Sequence, residues 1–129
     1  MRAEIRFTER RETPVDKCWV GINLRAQLFY ANLGHLVLVR SDRTVNRTAR
    51  GEDPTSHHDV PLGRINPYNP EDFVRFEVSI DDAAWDIQVG TVKIRVPLTE
   101  MAFVFAAGRI FLETYMCRVG VRHVEVLPI

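Results

Sequence analysis

The sequence predicts an α+β fold in a single domain, with a mostly antiparallel sheet and two helices packed on one face. Apolar residues at every second position, which are typical of strands with one solvated face, occur at 2–7 and 73–80. Two other stretches, 15–33 and 99–115, carry apolar residues three and four positions apart, which indicates helices. A chain of 129 residues has room for one domain and hardly for two.

The first half of the chain is predicted to form a strand, a helix and a second strand. Thr13 can cap the helix, and Gly34 stands where a glycine often ends one. One alternative stays open, a hairpin in which residues 27–31 pair with residues 35–40. Residues 36–39 are a continuous apolar run, which favours a central strand covered on both faces.

The second half is predicted to form two strands, a helix and a last strand. The strand at residues 87–96 changes phase at Gly90-Thr91, which predicts a β-bulge. Thr99 is the expected N-cap of the second helix, and residues 121–127 close the chain as a strand. The predicted order of elements is therefore βαβ, long loop, ββαβ.

The long loop covers residues 41–72, which show no sustained period and contain four prolines. A structureless stretch of this length is uncommon in a compact domain, so it is a functional loop, an arm on a partner, or a segment with short elements that the pattern does not show. We expect the arm to lie in extended form across a neighbouring subunit or partner protein, with Tyr68 and Trp85 as anchors. An oligomer or a stable complex follows from this interpretation.

The charges balance overall, since Lys and Arg together number 17 and Asp and Glu together number 17. This balance argues against a general affinity for nucleic acid. Residues 1–50 hold ten basic and five acidic side chains, and the remaining residues hold seven and twelve. We expect the two halves to neutralise each other on folding.

An arginine ladder in this region supports an alternative function. Its members stand three or four residues apart and are Arg40, Arg43, Arg47 and Arg50. In a helix they would line one face and could contact phosphates, as in a nucleic-acid-binding module. No aromatic residue is interleaved, so a platform for stacking bases is missing.

A weaker alternative is a metal-dependent hydrolase that uses His57, His58 and Asp59. Imidazole and carboxylate groups bind zinc or iron, but adjacent residues in an extended segment point to opposite sides. No HExxH or CxxC spacing supports the site. The cysteines, Cys18 and Cys117, are too few for a disulfide scaffold, and we expect core roles for them.

The leading hypothesis is a non-enzymatic protein-interaction module, such as a small subunit, adaptor or inhibitor. No catalytic constellation or phosphate-binding glycine motif is present, so we expect no cofactor. The sequence contains neither a long apolar segment nor a secretory signal, so we expect a cytoplasmic protein without a membrane partner. A protein partner or self-association is expected, with nucleic acid as the alternative.

Overall fold

A computed structural model describes residues 1–27, 33–51, 57–101, 103–105 and 107–127, with the backbone alone for His57. These residues form two antiparallel sheets of five strands that face each other across one core. The strands are β1 (Arg2–Arg10), β2 (Trp19–Ala26), β3 (Gly34–Arg40), β4 (Thr44–Arg50), β5 (His57–Arg64), β6 (Val74–Ile80), β7 (Ala84–Val89), β8 (Val92–Pro97), β9 (Arg109–Tyr115) and β10 (Cys117–Glu125).

The last two strands of the chain, β9 and β10, belong to different sheets. The first sheet has the order β10-β1-β6-β7-β8, and the second has the order β5-β4-β3-β2-β9. Both β9 and β10 are therefore terminal strands, and Met116 joins them with φ of 56°. At the opposite side of the sandwich, the terminal strands are β5 and β8, which contact each other.

The predicted α+β class is wrong, because the described residues contain only strands and a short 3-10 turn at Leu98–Glu100. The stretch predicted as the first helix contains β2 instead. Alternate residues of β2 enter the core, but Asn23 on the other face is also fully buried. Because both faces are covered, apolar residues on either face combine into spacings of three and four that resemble a helix.

In the alternative for this stretch, a hairpin of residues 27–31 with 35–40, residues 28–31 lie outside the described residues. Among the described residues, β2 pairs with β3, with Trp19 opposite Arg40 and Leu24 opposite His35. The expected central strand at 36–39 is confirmed, since β3 is the middle strand of its sheet. Leu36 and Leu38 are buried on one face, and Val37 and Val39 are buried in the core on the other.

The predicted second helix is wrong as well. Residues 98–100 form the 3-10 turn, and β9 follows at Arg109–Tyr115. Apolar residues occur on both faces of β9, with Ile110 and Leu112 on one and Phe111 and Tyr115 on the other. This two-sided pattern removed the period of two from which the sequence would have shown a strand.

Three predicted strands are confirmed by β1, β6 and β10, although their ends differ from the predicted ones. The expected bulge at Gly90-Thr91 is instead the turn of a hairpin between β7 and β8. Gly90 has φ of 57°, a backbone conformation that favours glycine. The change of phase in the sequence thus marks a reversal of the chain.

Within the range 41–72 the structure contains β4 and β5. The inward positions of β4 are occupied by Val45, Arg47 and Ala49, as their pairing with β3 shows. A charged residue and a small one at inward positions hide the alternation that would indicate a strand. After β5, Ile65 enters the core and is 3% exposed.

The two halves of the chain are joined by ion pairs, as the charge distribution predicts. Among the described residues these pairs are Arg2–Glu77, Arg2–Glu125, Glu4–Arg122, Glu9–Arg118 and Arg50–Glu113, and His123 also contacts the Glu4 carboxylate. Most of these groups are partly exposed, where such a pair contributes about 0–1 kcal/mol. The pairs therefore balance charge more than they stabilise the fold.

Candidate binding site

Exposed apolar side chains are concentrated at the side of the sandwich formed by β9 and β10. Among the described residues, eight large apolar side chains are exposed, and seven of them belong to β9, to β10 or to the two residues after β10. These seven are Ile110, Leu112, Tyr115, Val121, Val124, Val126 and Leu127. Exposed apolar side chains that gather at one side of a domain commonly mark an interaction site, whereas scattered ones do not.

A cleft of about 510 Å³ opens between the first residues of β9 and residues 125–127 at the end of β10. We call it the edge cleft. Its volume falls within the roughly 300–1,000 Å³ that is usual for binding pockets. The apolar side chains that line it are Met1, Leu24, Val78, Ile80, Ile110, Val126 and Leu127. Leu24 and Val78 are buried core residues, so the cleft reaches the hydrophobic core from outside.

An irregularity in β2 shapes one wall of this edge cleft. The register between β2 and β9 shifts between Asn23 and Ala26, and Arg25 has φ of 55°. Gly108 packs on the backbone of Arg25, because a Cβ atom at position 108 would lie 2.2 Å from the Arg25 carbonyl carbon. Glycine is therefore required at 108 for this close approach.

The side chain of Arg25 is held in place at the cleft by two contacts. Its Nη1 donates a hydrogen bond of 2.8 Å to the carbonyl oxygen of Phe105. The guanidinium lies over the ring of Trp85, 5.6 Å from the ring centre. A positive charge is thus held beside the apolar side chains of the lining.

Three further charged residues line the cleft. Arg2 pairs with Glu77 at 3.1 Å and with Glu125 at 3.7 Å. Loss of hydration raises the pKa of Glu77, but the hydrogen bond and charge of Arg2, followed by the charge of Arg75, leave it below its usual value. The carboxylate is therefore ionised at neutral pH.

The lining of the edge cleft suits binding better than catalysis. Its side chains include no histidine and no cysteine, and its charged groups belong to Arg2, Arg25, Glu77 and Glu125. The two carboxylates both contact Arg2, and the hydroxyl of Ser79 also lines the cleft. What the cleft offers is apolar area with charges of both signs.

The residues expected to anchor a partner lie elsewhere. Trp85 is 2% exposed and belongs to the core, where its ring contacts His35. Tyr68 is partly buried against the same core, and this burial raises the pKa of its hydroxyl. Neither side chain lines the edge cleft, so an anchoring role for them stays a prediction without geometric support.

The arginine ladder does not line one face. Arg43 lies in the turn between β3 and β4, with φ of 72°. Arg47 points into the sandwich, whereas Arg50 lies on the outer face and pairs with Glu113 at 3.5 Å. Because β3 and β4 are antiparallel, Arg40 and Arg50 stand at opposite ends of the sheet. The condition for a shared phosphate-binding face, a helix, is not met.

The residues of the metal hypothesis lie on β5. The Asp59 carboxylate faces outward and accepts hydrogen bonds from Asn46 at 3.1 Å and Thr48 at 3.0 Å. The ring of His58 points the other way, 6.0 Å from the ring of Phe103. The side chain of His57 lies outside the described residues. Within the described part of the chain, no three metal-ligating side chains come together.

Cys18 and Cys117 are both free thiols near the core. Burial and the neighbouring Glu12 carboxylate raise the pKa of Cys18 to about 12, so the thiol stays protonated and unreactive at neutral pH. The Cys117 thiol donates to the carbonyl oxygen of Trp19 at 3.3 Å. The expected core role fits Cys18, which is fully buried.

The sequence showed the strand that becomes β10, but it could not show that this strand would be exposed. Leu112 and Tyr115 were predicted to share one face of a helix, and Ile110 lies in the same predicted helix. The available signal was a set of valines at 119, 121, 124 and 126, which alternate with other residues on either side of a change of phase at 122–123. Whether another element covers these valines is decided by the order of the strands.

The described residues contain no helix long and apolar enough to cross a membrane. Comparison with models of protein families found no match to this chain, and comparison with curated proteins found none either. The case for a function therefore rests on the geometry of the edge cleft.

Proposed function

We propose that the chain is a non-enzymatic protein-interaction module that binds an extended apolar segment of another polypeptide in the edge cleft. One observation carries this proposal: a cleft of about 510 Å³ reaches the core between two terminal strands that belong to different sheets. A cytoplasmic location is part of the proposal.

The backbone of these strands supports a polypeptide as the ligand. Among the described strands, β9 pairs with β2 alone and β10 pairs with β1 alone. A terminal strand presents a row of N–H and C=O groups along its outer edge. An extended segment can pair with that row and become an additional strand.

The side chains at the cleft support an apolar segment. In an extended segment, every second side chain points to the same side. Such side chains would lie against Ile110 on one wall and against Val126 and Leu127 on the other. Each Å² of apolar surface that they remove from water contributes about 25 cal/mol.

A different polypeptide fits the site better than a second copy of this chain. A symmetric dimer through β10 would bring Arg118 and Arg122 of both copies to one interface. Both pair within the chain, with Glu9 and Glu4, but their side chains remain 77% and 49% exposed. Like charges at an interface oppose association. A partner segment with acidic residues between its apolar ones avoids this conflict.

The experiment selects ligands from a random library of twelve-residue peptides and compares their affinities for three proteins. These are the wild type, Ile110→Lys, which places a charge in the cleft wall, and the control Val15→Lys, which changes an exposed apolar residue outside the cleft. We expect peptides with alternating apolar residues to be enriched. Ile110→Lys should weaken their binding at least tenfold, and Val15→Lys should leave it unchanged.

Two results would contradict the proposal. Equal binding by the wild type and Ile110→Lys would place the peptide elsewhere. A stable dimer in light scattering that Ile110→Lys converts to a monomer would show that a second copy occupies the cleft. The fold of each variant is checked by its circular dichroism spectrum.

A further inference from the structure

A second site lies inside the sandwich, and it shares no lining residue with the edge cleft. It is a cavity of about 10 Å³, which is roughly the space for one water-sized particle. Its lining comes from β3, β4, β7 and β8 and from Met101. Three of the lining residues carry side-chain nitrogen atoms: His35, Arg47 and Trp85. We call this the donor cavity.

Each of these residues has a buried nitrogen that finds no hydrogen-bond partner among the described residues. The three atoms are His35 Nδ1, Arg47 Nε and Trp85 Nε1. His35 is 3% exposed and Trp85 is 2% exposed, and their rings meet edge to face with centres 4.9 Å apart. Buried polar groups are nearly always paired, so three orphans around one small cavity indicate a shared ligand.

All three atoms are hydrogen-bond donors. The backbone N–H of Phe105 donates to His35 Nε2 at 3.0 Å, so Nε2 carries a lone pair. A neutral imidazole then carries its proton on Nδ1. Burial, followed by the charges of Arg25 and Arg47, lowers the pKa of His35 to about 4, so the ring is neutral at pH 7. Indole Nε1 and guanidinium Nε have no acceptor capacity.

Among the described residues that line the donor cavity, no side chain on the inner face carries an oxygen atom. Thr48 lies on the outer face of its sheet, where its hydroxyl donates to Asp59. The apolar side chains of the lining that point inward are Val37, Ala49, Ile87, Val96 and Met101. Arg25 and Arg47 make the surroundings positive, and Glu100 acts on Arg47 from outside the cavity lining.

We infer that the donor cavity binds one monatomic anion of the halide class, with chloride as the physiological member. A water molecule has lone pairs for only two of the three donors, and its own two protons would find no side-chain oxygen on the inner face among the described lining residues. A halide accepts all three hydrogen bonds and also compensates the two arginine charges.

The test combines diffraction with thermal unfolding. Crystals soaked in bromide should show an anomalous peak between His35, Arg47 and Trp85. In solution, the unfolding midpoint should rise as chloride replaces gluconate at constant ionic strength, because a ligand that binds the native state stabilises it. Trp85→Phe removes one donor and keeps an aromatic ring, so the chloride-dependent rise should shrink. Trp19→Phe is the matched control and should keep the full rise.

A crystal structure with a water oxygen in the donor cavity and no bromide peak would overturn the inference. So would an unfolding midpoint that is the same in chloride and in gluconate. If Trp85→Phe does not fold, the bromide soak and the chloride titration of the wild type decide the question by themselves. None of these results depends on whether the edge cleft binds a peptide.

Discussion

The two sides of this sandwich differ in how they close the core. On the β5–β8 side, Ile65 fills the space between the sheets, and a Cβ atom at Gly90 would lie 3.2 Å from the Ile65 side chain. On the β9–β10 side, Ile110 and Val124 remain exposed, and a cleft leads inward.

The difference shows that apolar content alone does not close a sandwich. Both sides carry large aliphatic residues. On the closed side, the glycine at position 90 leaves space for a buried isoleucine. On the open side, the described residues place no further strand against β9 or β10. Four predictions would break or sharpen this comparison.

The largest effect is expected from one substitution made on both sides. Ile65→Ala should lower the free energy of unfolding by about 2–5 kcal/mol, because it leaves a cavity in a packed core. Ile110→Ala should lower the free energy of unfolding by less than about 1 kcal/mol, because Ile110 is 39% exposed in the folded state. Urea denaturation measures both values. Equal losses would mean that the two sides are packed alike.

The second prediction concerns the pH dependence of stability and His35, which is buried on the middle strand β3. Its pKa in the folded state is about 4, below the ordinary value of 6.5, so the unfolded state binds a proton first as the pH falls. Stability from this group is complete above pH 6.5 and is lost as the pH falls toward 4, by up to about 3 kcal/mol. His35→Gln should lose less stability than the wild type over this interval. Parallel curves would contradict the burial of a neutral imidazole.

The third prediction tests the closing turn itself. Gly90→Ala adds a Cβ atom to a residue with φ of 57°, which costs about 1–2 kcal/mol. The new methyl group also crowds Ile65. Thermal unfolding of Gly90→Ala should show a lower midpoint than that of the wild type. The control Ser79→Ala, at an exposed position of β6, should change it little. A midpoint equal to that of the wild type would mean that the turn carries no strain.

The smallest effect is expected at the mouth of the edge cleft. Arg2→Ala removes the ion pairs with Glu77 and Glu125, and the free energy of unfolding should fall by less than about 1 kcal/mol. The difference should shrink in 1 M salt, where screening is strong. Denaturation at low and high salt provides the comparison. A loss that is independent of salt would show that Arg2 acts through packing.

Parts of the fold could be predicted because they follow from local pattern. β1 and β6 each have one wet face, so alternate residues are polar and the period of two is visible. β3 is buried on both faces, and its continuous run of aliphatic residues showed this. The free thiols and the balanced charge could also be read from composition.

The strands β2, β4 and β9 could not be predicted because their patterns depend on neighbours. The outer face of β2 is covered, β4 places Arg47 inward, and β9 has apolar residues on both faces. Each feature removes the alternation from which a strand is recognised. The edge cleft was missed for the same reason, since Ile110 and Leu112 belong to a strand that was assigned to a helix.

By itself, the sequence determined the strands with one solvated face, the central strand β3 and the balance of charge between the two halves of the chain. These properties depend on which residues are adjacent in the chain or on their total number. Only the tertiary structure decided that β9 and β10 are terminal strands and that His35, Arg47 and Trp85 share a cavity. Both arrangements join residues far apart in sequence, and such contacts follow from the order of strands in the sheets, which no local pattern encodes.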